Sequence, residues 1–145
     1  MIKAIKISDR IKGLVEQFSR LPDWEARYKL VIELGKGLEP LAEELKTDKY
    51  KVKGCTSQVW LVPSFENNLV KFSADSDSVL VKGIIALLVN VYSDSSPQEI
   101  LENKADFLKE IGLMENLTMN RSNGLTSMIK QIQMYAFAYQ SLVKK

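Results

Sequence analysis

One residue, Cys55, has a side chain that could act as a nucleophile or carry a transferable atom. It is the only cysteine of the chain, and it lies in the segment Lys53–Ser57 between two predicted strands. Gly54 permits backbone conformations that would present the thiol outward, and loops on a rigid scaffold often carry reactive groups. The alternative is a buried structural cysteine, a common fate of this residue type. Because the chain has no histidine, a thiolate here needs Lys53, Arg121 or a helix N-terminus to stabilise it.

Arg121 and Gly124 lie near the start of a predicted helix, where both are locally unfavourable. A cation in the first turn opposes the helix dipole by about 0.3–1 kcal/mol, and glycine inside a helix costs up to about 1 kcal/mol relative to alanine. Together they indicate a close backbone approach or an anion site. The plainer interpretation is a surface arginine beside a packing glycine. Asp77 is adequately explained as an N-cap partner of Ser76.

The composition excludes much other chemistry. The chain has 145 residues, which suits a single domain over 1–145, and its 20 basic and 18 acidic residues give a net charge of +2. That balance predicts no nucleic-acid surface. The absence of histidine and the single cysteine exclude His-assisted nucleophiles, disulfides within the chain and almost every zinc or haem site. We therefore expect no metal.

The compartment follows from the same sequence. The first ten residues lack the apolar core of a secretory signal. The most apolar window, residues 79–92, is shorter than the roughly 20 residues of a membrane span. A lone thiol without a signal is typical of a reducing cytosol. These features predict a cytoplasmic protein with no membrane association.

Hydrophobic periodicity predicts helices on both sides of a short β region. The predicted helices cover Ser8–Leu21, a stretch from Pro22-Asp23 to about Leu38, a long apolar segment capped by Ser76-Asp77 and ending at Tyr92, a start at Ser95-Ser96-Pro97, and a last helix from near Arg121 to Leu142. By propensity alone the long apolar segment could be a strand, but its length and cap favour a buried helix. A charged connection over residues 43–49 is predicted to be solvated.

Three short antiparallel strands are predicted between these helices. They lie at Val52, Gln58–Val62 and Leu69–Phe72, and the last two form a hairpin around the turn at Glu66–Asn68. The predicted fold class is α+β, a small three-stranded antiparallel sheet flanked by helices.

Several groups of residues, weak singly and specific together, follow one another along the chain. They are Trp24-Glu25 with Tyr28 and Glu33–Gly35, then Gly54–Trp60, Ser76–Gly83, Pro97–Ile100, Leu117-Thr118, Arg121–Leu125 and Met128. In this order they resemble the SufE family, the sulfur acceptors of iron–sulfur cluster assembly. Thr56 departs from the resemblance, because glutamine is frequent at that position of the family. This mild change leaves the role implied for the cysteine intact.

The resemblance implies a fold similar to that of IscU-type scaffolds and a role in sulfur transfer. Members accept a sulfane sulfur from a cysteine desulfurase of the SufS or CsdA type, stimulate that enzyme, and pass the sulfur to a SufBCD-type scaffold. Cys55 would form the persulfide. Its loop would be supported by Gly54, Ser57 and Gln58. Asp77 and Arg121 would position the loop, dock the partner or support the thiolate.

The implied chemistry suits a chain with one cysteine and no histidine. Persulfide transfer is a form of thiol–disulfide exchange and needs one reactive thiol. The resemblance implies no cofactor bound by this chain, since pyridoxal phosphate belongs to the desulfurase. We expect the free thiol to rest shielded on the apolar end of the sheet and to swing out on docking, which would limit its oxidation. A homodimer is left open.

Two other functions compete with sulfur transfer. Cys55 could be the nucleophile of a self-sufficient hydrolase or thiol peroxidase, which the absence of histidine and of a second cysteine disfavours. We therefore expect no turnover by the isolated chain. Alternatively, the protein could be a binding module that regulates a desulfurase by docking alone. Substitution of Cys55 separates that alternative from a carrier.

Overall fold

A computed structural model describes residues 5–144, leaving out Met1–Ala4 and Lys145. Within residues 5–144, helices pack on a β-hairpin, which confirms the α+β fold class. The elements are α1 (Ile7–Ser19), α2 (Trp24–Lys36), β1 (Val59–Glu66), β2 (Leu69–Ser76), α3 (Val79–Tyr92), α4 (Pro97–Glu102), α5 (Phe107–Glu110) and α6 (Met119–Gln140), with short 3₁₀ turns at Glu43–Leu45 and Met114–Asn116. Among these residues no helix combines the length and the apolarity needed to cross a membrane.

Helix α3 is the centre of the core, and nearly all of its residues are buried. Its apolar sequence forms a helix because α2, β2 and α6 cover it from several sides. Glycines let α2 and α3 approach closely: a Cβ on Gly35 would lie 2.8 Å from the backbone nitrogen of Gly83. The predicted cap at Ser76-Asp77 is wrong. Ser78 accepts the Val81 N–H at 3.3 Å, because the two preceding residues end the hairpin.

The sheet has two strands in the described residues, and the predicted third strand is wrong. Lys51 forms only an isolated antiparallel bridge with Trp60. Two features stop the ladder there. Gly54, with φ +90°, turns the chain away from β1. On the edge of β1 where the Leu61 N–H donates to Tyr50, the next backbone nitrogen is that of Pro63, which has no N–H to donate.

Side-chain caps define most helix starts. Asp23 accepts the N–H of Ala26 at 2.9 Å, and Ser96 accepts that of Glu99 at 3.1 Å with Pro97 in the first turn. Both confirm the predicted starts. Helix α6 begins two residues before the predicted Arg121, because Thr118 is its cap.

The charged connection before the sheet is exposed, as predicted, at all of its charged residues except Lys46. The Lys46 side chain is 22% exposed and lies 3.1 Å from Asp75 on β2. Its ammonium also lies 5.7 Å from the centre of the Trp60 ring. Lys82 contacts the other oxygen of Asp75 at 3.4 Å. The connection is therefore fastened across the outer face of the hairpin.

Candidate functional site

The Cys55 loop, residues 53–57, is tied to the sheet at both ends. At its entry the Val52 N–H donates to the Val59 carbonyl at 2.8 Å. At its exit the Gln58 N–H donates to the Asp77 carboxylate at 3.0 Å, and the Gln58 carbonyl accepts the Asp77 N–H at 3.2 Å. Asp77 therefore anchors the end of the loop.

Cys55 lies half-buried, with its thiol against the first turns of α6. Its Sγ is 3.6 Å from the Gly124 carbonyl oxygen, which a thiol S–H can reach as a weak donor. Burial raises the pKa of the Cys55 thiol above its ordinary value. The thiol is thus partly covered, as expected, and the contact that it makes is with Gly124 of α6.

Two glycines allow the loop to lie directly on α6. Gly54 has φ +90°, and a Cβ there would lie 2.7 Å from the Ser127 hydroxyl oxygen. A Cβ on Gly124 would lie 3.2 Å from the Cys55 sulfur. The close backbone approach indicated by the sequence at Gly124 is therefore confirmed, and its partner is the cysteine itself.

A cavity of about 280 Å³ opens beside the thiol. Its lining is apolar on the α3 side and polar around α6, and it consists of Cys55, Thr56, Ser57, Val81, Ile84, Thr118, Asn120, Arg121, Gly124 and Met128. Arg121 is the one charged residue of this lining. The structure thus brings Arg121, Ser57 and the cysteine to one place.

Arg121 and Asp77 do not form an ion pair. Within residues 5–144, neither has an oppositely charged partner within 4.0 Å. The two residues have separate positions, since Asp77 binds the backbone of Gln58 and the exposed Arg121 borders the cavity. Lys53, the other candidate cation, is exposed and is not part of the cavity lining.

Sequence reasoning missed several contributors to the site. The Ser76 hydroxyl donates to the Gln58 carbonyl at 2.7 Å, so Ser76 anchors the loop and does not cap a helix. Ser127 and Met128 of α6 contact the loop or line the cavity. Their spacing from Gly124 places them on neighbouring turns, but no sequence signal shows which turn meets the cysteine.

Residues 5–144 contain no group of three or more His, Cys, Asp or Glu side chains arranged to hold a metal ion.

The chain matches a family model and several known proteins. Residues 12–136 match the model of SufE, described as an Fe-S metabolism associated domain. An uncharacterized SufE-like protein of Rhizobium etli is 46% identical over 125 residues, 83% of this chain and 84% of that protein. An uncharacterized SufE-like protein of Synechocystis is 41% identical over 127 residues, 88% of this chain and 80% of that protein.

Two further matches extend the comparison. SufE-like protein 1 of Arabidopsis thaliana, named as chloroplastic/mitochondrial, is 40% identical over 129 residues, which is 88% of this chain and 35% of that longer protein. The solution structure of a hypothetical protein from Thermus thermophilus superposes with a TM-score of 0.77 at 22% identity, covering 91% of this chain and 96% of that one. This likeness shows a shared fold.

Proposed function

We propose that this chain is a sulfur carrier whose persulfide forms on Cys55. The chain belongs to the SufE family of Fe–S metabolism domains. A cysteine desulfurase donates a sulfane sulfur to Cys55, its turnover is stimulated by that removal, and an iron–sulfur scaffold receives the sulfur. The observation that carries this proposal is the position of the single thiol, on a tethered loop beside a cavity of about 280 Å³.

Both transfers are exchanges between a thiolate and a persulfide, so no external oxidant or reductant is needed. The Cys55 thiolate attacks the outer sulfur of the desulfurase persulfide. A new S–S bond forms on Cys55 as the old one breaks, and the desulfurase cysteine leaves as a thiolate. In the second transfer a recipient thiolate attacks the same outer sulfur and Cys55 leaves as a thiolate. The proton that Cys55 lost is then recovered.

The first step requires Cys55 to lose its proton. Burial opposes this loss, because it raises the pKa of the thiol. A cationic side chain beside a cysteine lowers its pKa and favours the thiolate. We assign that task to Arg121 on docking, because it is the one charged residue of the cavity lining, whereas in the free chain burial alone shifts the pKa of Cys55. The loop supplies no base, so the proton leaves to water or to the desulfurase.

The pattern of contacts supports movement of the loop tip with fixed ends. Backbone hydrogen bonds at Val52 and Gln58 hold the ends. The thiol itself makes one weak hydrogen bond, to the Gly124 carbonyl, and is otherwise held by packing. Five residues tied at both ends can carry their central residue outward by about 8 Å. That movement takes Cys55 off α6 and toward a partner's active site.

The partners in this proposal follow from the family. The sulfur donor is a cysteine desulfurase of the SufS or CsdA type, which supplies the pyridoxal phosphate. The recipient is a SufBCD-type scaffold, and both exchanges take place in the cytoplasm. The chain binds no cofactor of its own and does not turn over alone.

Desulfurase turnover tests the proposal. We expect the wild-type chain to accelerate alanine release from cysteine by a desulfurase, and Cys55→Ser to remove the acceleration. A matched control moves the thiol: Cys55→Ser combined with Ser64→Cys puts it at an exposed site on β1. That variant should also fail. Full stimulation by Cys55→Ser would mean that the chain acts by docking alone. Peroxide or ester turnover by the isolated chain would instead indicate an enzyme.

A further inference from the structure

Two large apolar side chains are exposed near the Cys55 cavity. Val79 is 65% exposed, and Met119 is 78% exposed. Each is the first residue of its helix, Val79 of α3 and Met119 of α6. Among the described residues, both stand apart from the hydrophobic core and from the side chains packed against it. Their exposure therefore contributes nothing to the packing of the chain itself.

The chain neighbours of these two residues place them at the opening of the cavity. Met119 lies between Thr118 and Asn120, and both of those residues line the cavity. Val79 lies two residues before Val81, which lines the cavity from α3. The starts of α3 and α6 therefore each present one apolar side chain beside the opening.

The charged side chains around the opening have both signs. Arg121 lines the cavity, Lys53 is exposed in the loop, and Asp77 is exposed at the exit of the loop. A surface of mixed charge attracts no partner strongly over a long range. Exposed methionine is enriched at protein interfaces, and its flexible side chain adapts to the shape of a partner. Apolar contact is therefore the main source of affinity that this surface offers.

In the proposed function the sulfur donor must cover this opening. Persulfide exchange brings the outer sulfur of the donor into bonding contact with the Sγ of Cys55. The loop can carry that sulfur outward by about 8 Å, so the surface of the donor comes within this distance of the opening. Apolar side chains that border the opening are then buried between the two proteins.

We propose that Val79 and Met119 are the apolar contacts through which this chain docks on the cysteine desulfurase. This inference rests on the sulfur carrier function proposed above. A carrier must leave its donor after each transfer, so the interface belongs with the transient ones that bury less than about 1,200 Å². In such an interface a few side chains carry most of the affinity. Val79 and Met119 act in binding and take no part in the exchange of sulfur itself.

A kinetic titration separates docking from sulfur transfer. Alanine release by a cysteine desulfurase is measured against chain concentration for wild type, Val79→Ser, Met119→Ser and the double variant. We expect each single variant to raise the half-saturating concentration by about threefold or more, and the double variant by about tenfold or more. The maximal rate should stay at the wild-type value, because Cys55 and Arg121 are unchanged. Both positions are exposed, so the fold should tolerate serine there.

Ile5→Ser is the matched control for these variants. Ile5 is 62% exposed, close to the exposure of Val79, and it is not part of the lining of the Cys55 cavity. It should titrate as wild type. An unchanged half-saturating concentration in the double variant, or an equal rise in Ile5→Ser, would overturn the proposal. Alkylation of Cys55 by iodoacetamide should match wild type in every variant, and a changed rate in the double variant would instead assign the effect to a disturbed loop.

A different partner at this surface would give a different result. If the desulfurase titration is unchanged but the double variant passes its sulfur to an iron–sulfur scaffold more slowly, the surface belongs to the recipient and the proposal is wrong. Failure of the carrier function is a separate result, in which the wild-type chain stimulates the desulfurase without gaining sulfur. The titration of the variants would then still decide whether Val79 and Met119 are docking contacts.

Discussion

The two ends of the β-hairpin are closed in opposite ways. At one end Asn67 and Asn68 form a two-residue turn with φ of 56° and 63°, values that asparagine tolerates. The Asn68 side chain also exchanges two hydrogen bonds with the backbone of Lys144, at 2.9 and 3.0 Å. At the other end the Cys55 loop is hydrogen-bonded at its entry and exit, and its centre rests on α6 with one weak thiol hydrogen bond.

The difference separates a structural closure from a functional one. In the turn, the residues that define the geometry also hold it in place. In the Cys55 loop, the hydrogen-bonded anchors are Val52 and Gln58, and the reactive residue between them is held mainly by packing on α6. The same hairpin therefore provides one end that resists change and one whose tip can move at low cost.

Gly54→Ala should have the largest effect on this contrast. Its φ of +90° disfavours a side chain, and the new Cβ would meet the Ser127 hydroxyl. The docked loop should be destabilised by about 1–3 kcal/mol, so Cys55 alkylation by iodoacetamide should accelerate by roughly 10–100-fold. Gly13→Ala is the control, because a Cβ there meets nothing within 4 Å. Equal alkylation rates in Gly54→Ala and wild type would mean that the loop is not docked as described.

Asn68→Ala tests the other end. It removes both hydrogen bonds to Lys144 and forces alanine to adopt a positive φ. Urea titration should show a loss of about 1–2 kcal/mol in the free energy of unfolding, while Cys55 alkylation stays at the wild-type rate. Asn68→Gly loses the same two hydrogen bonds but adopts a positive φ without strain, so it should lose less stability than Asn68→Ala. A faster thiol reaction in Asn68→Ala would show that the two ends are coupled.

Gly124→Ala perturbs the seat of the loop from the side of α6. The new Cβ would lie 3.2 Å from the Cys55 sulfur, which a small shift of the loop relieves. Alkylation should accelerate by about 3–10-fold. Global stability should change little, because alanine gains up to about 1 kcal/mol of helix propensity over glycine. A slower reaction than in wild type would contradict this account, since the thiol would then be held more tightly.

The smallest expected effect is the pH dependence of the thiol. Burial raises the pKa of Cys55 when folded, so alkylation of the folded chain should rise at higher pH than alkylation in urea. The folded state then binds the thiol proton more tightly than the unfolded state. The free energy of unfolding should therefore fall as pH rises past the ordinary thiol pKa. Cys55→Ser should lose this dependence. If alkylation of the folded chain and alkylation in urea had the same pH midpoint, the thiol would not be buried as described.

Local patterns predicted most of the helical framework. The capping residues Asp23 and Ser96 define their helices by contacts three residues away, which a sequence displays directly. The predicted third strand failed for a non-local reason. A third strand would need backbone N–H donors on the free edge of β1, and Pro63 has none. Whether Pro63 faces that edge is known only from the register with β2.

The sequence indicated which residues belong to the site but not how they are arranged in space. Cys55 stood out because it is the only thiol, and Gly124 because a glycine early in a helix needs a reason. Their contact joins positions 69 residues apart, so no local pattern could show it. The local pattern misread Asp77 for the same reason: next to Ser76 it has the pattern of a helix cap, and only the hairpin brings it to Gln58. The loop-positioning role came from the family resemblance alone.

Intact-mass measurement tests the central claim most directly. The chain is incubated with a cysteine desulfurase and free cysteine without reductant, and its mass is compared with that of Cys55→Ser. The account predicts a gain of about one sulfur atom on the wild-type chain, reversed by a reducing agent and absent from the variant. A desulfurase that the wild-type chain stimulates without gaining sulfur, or a reducible adduct that persists in Cys55→Ser, would contradict it.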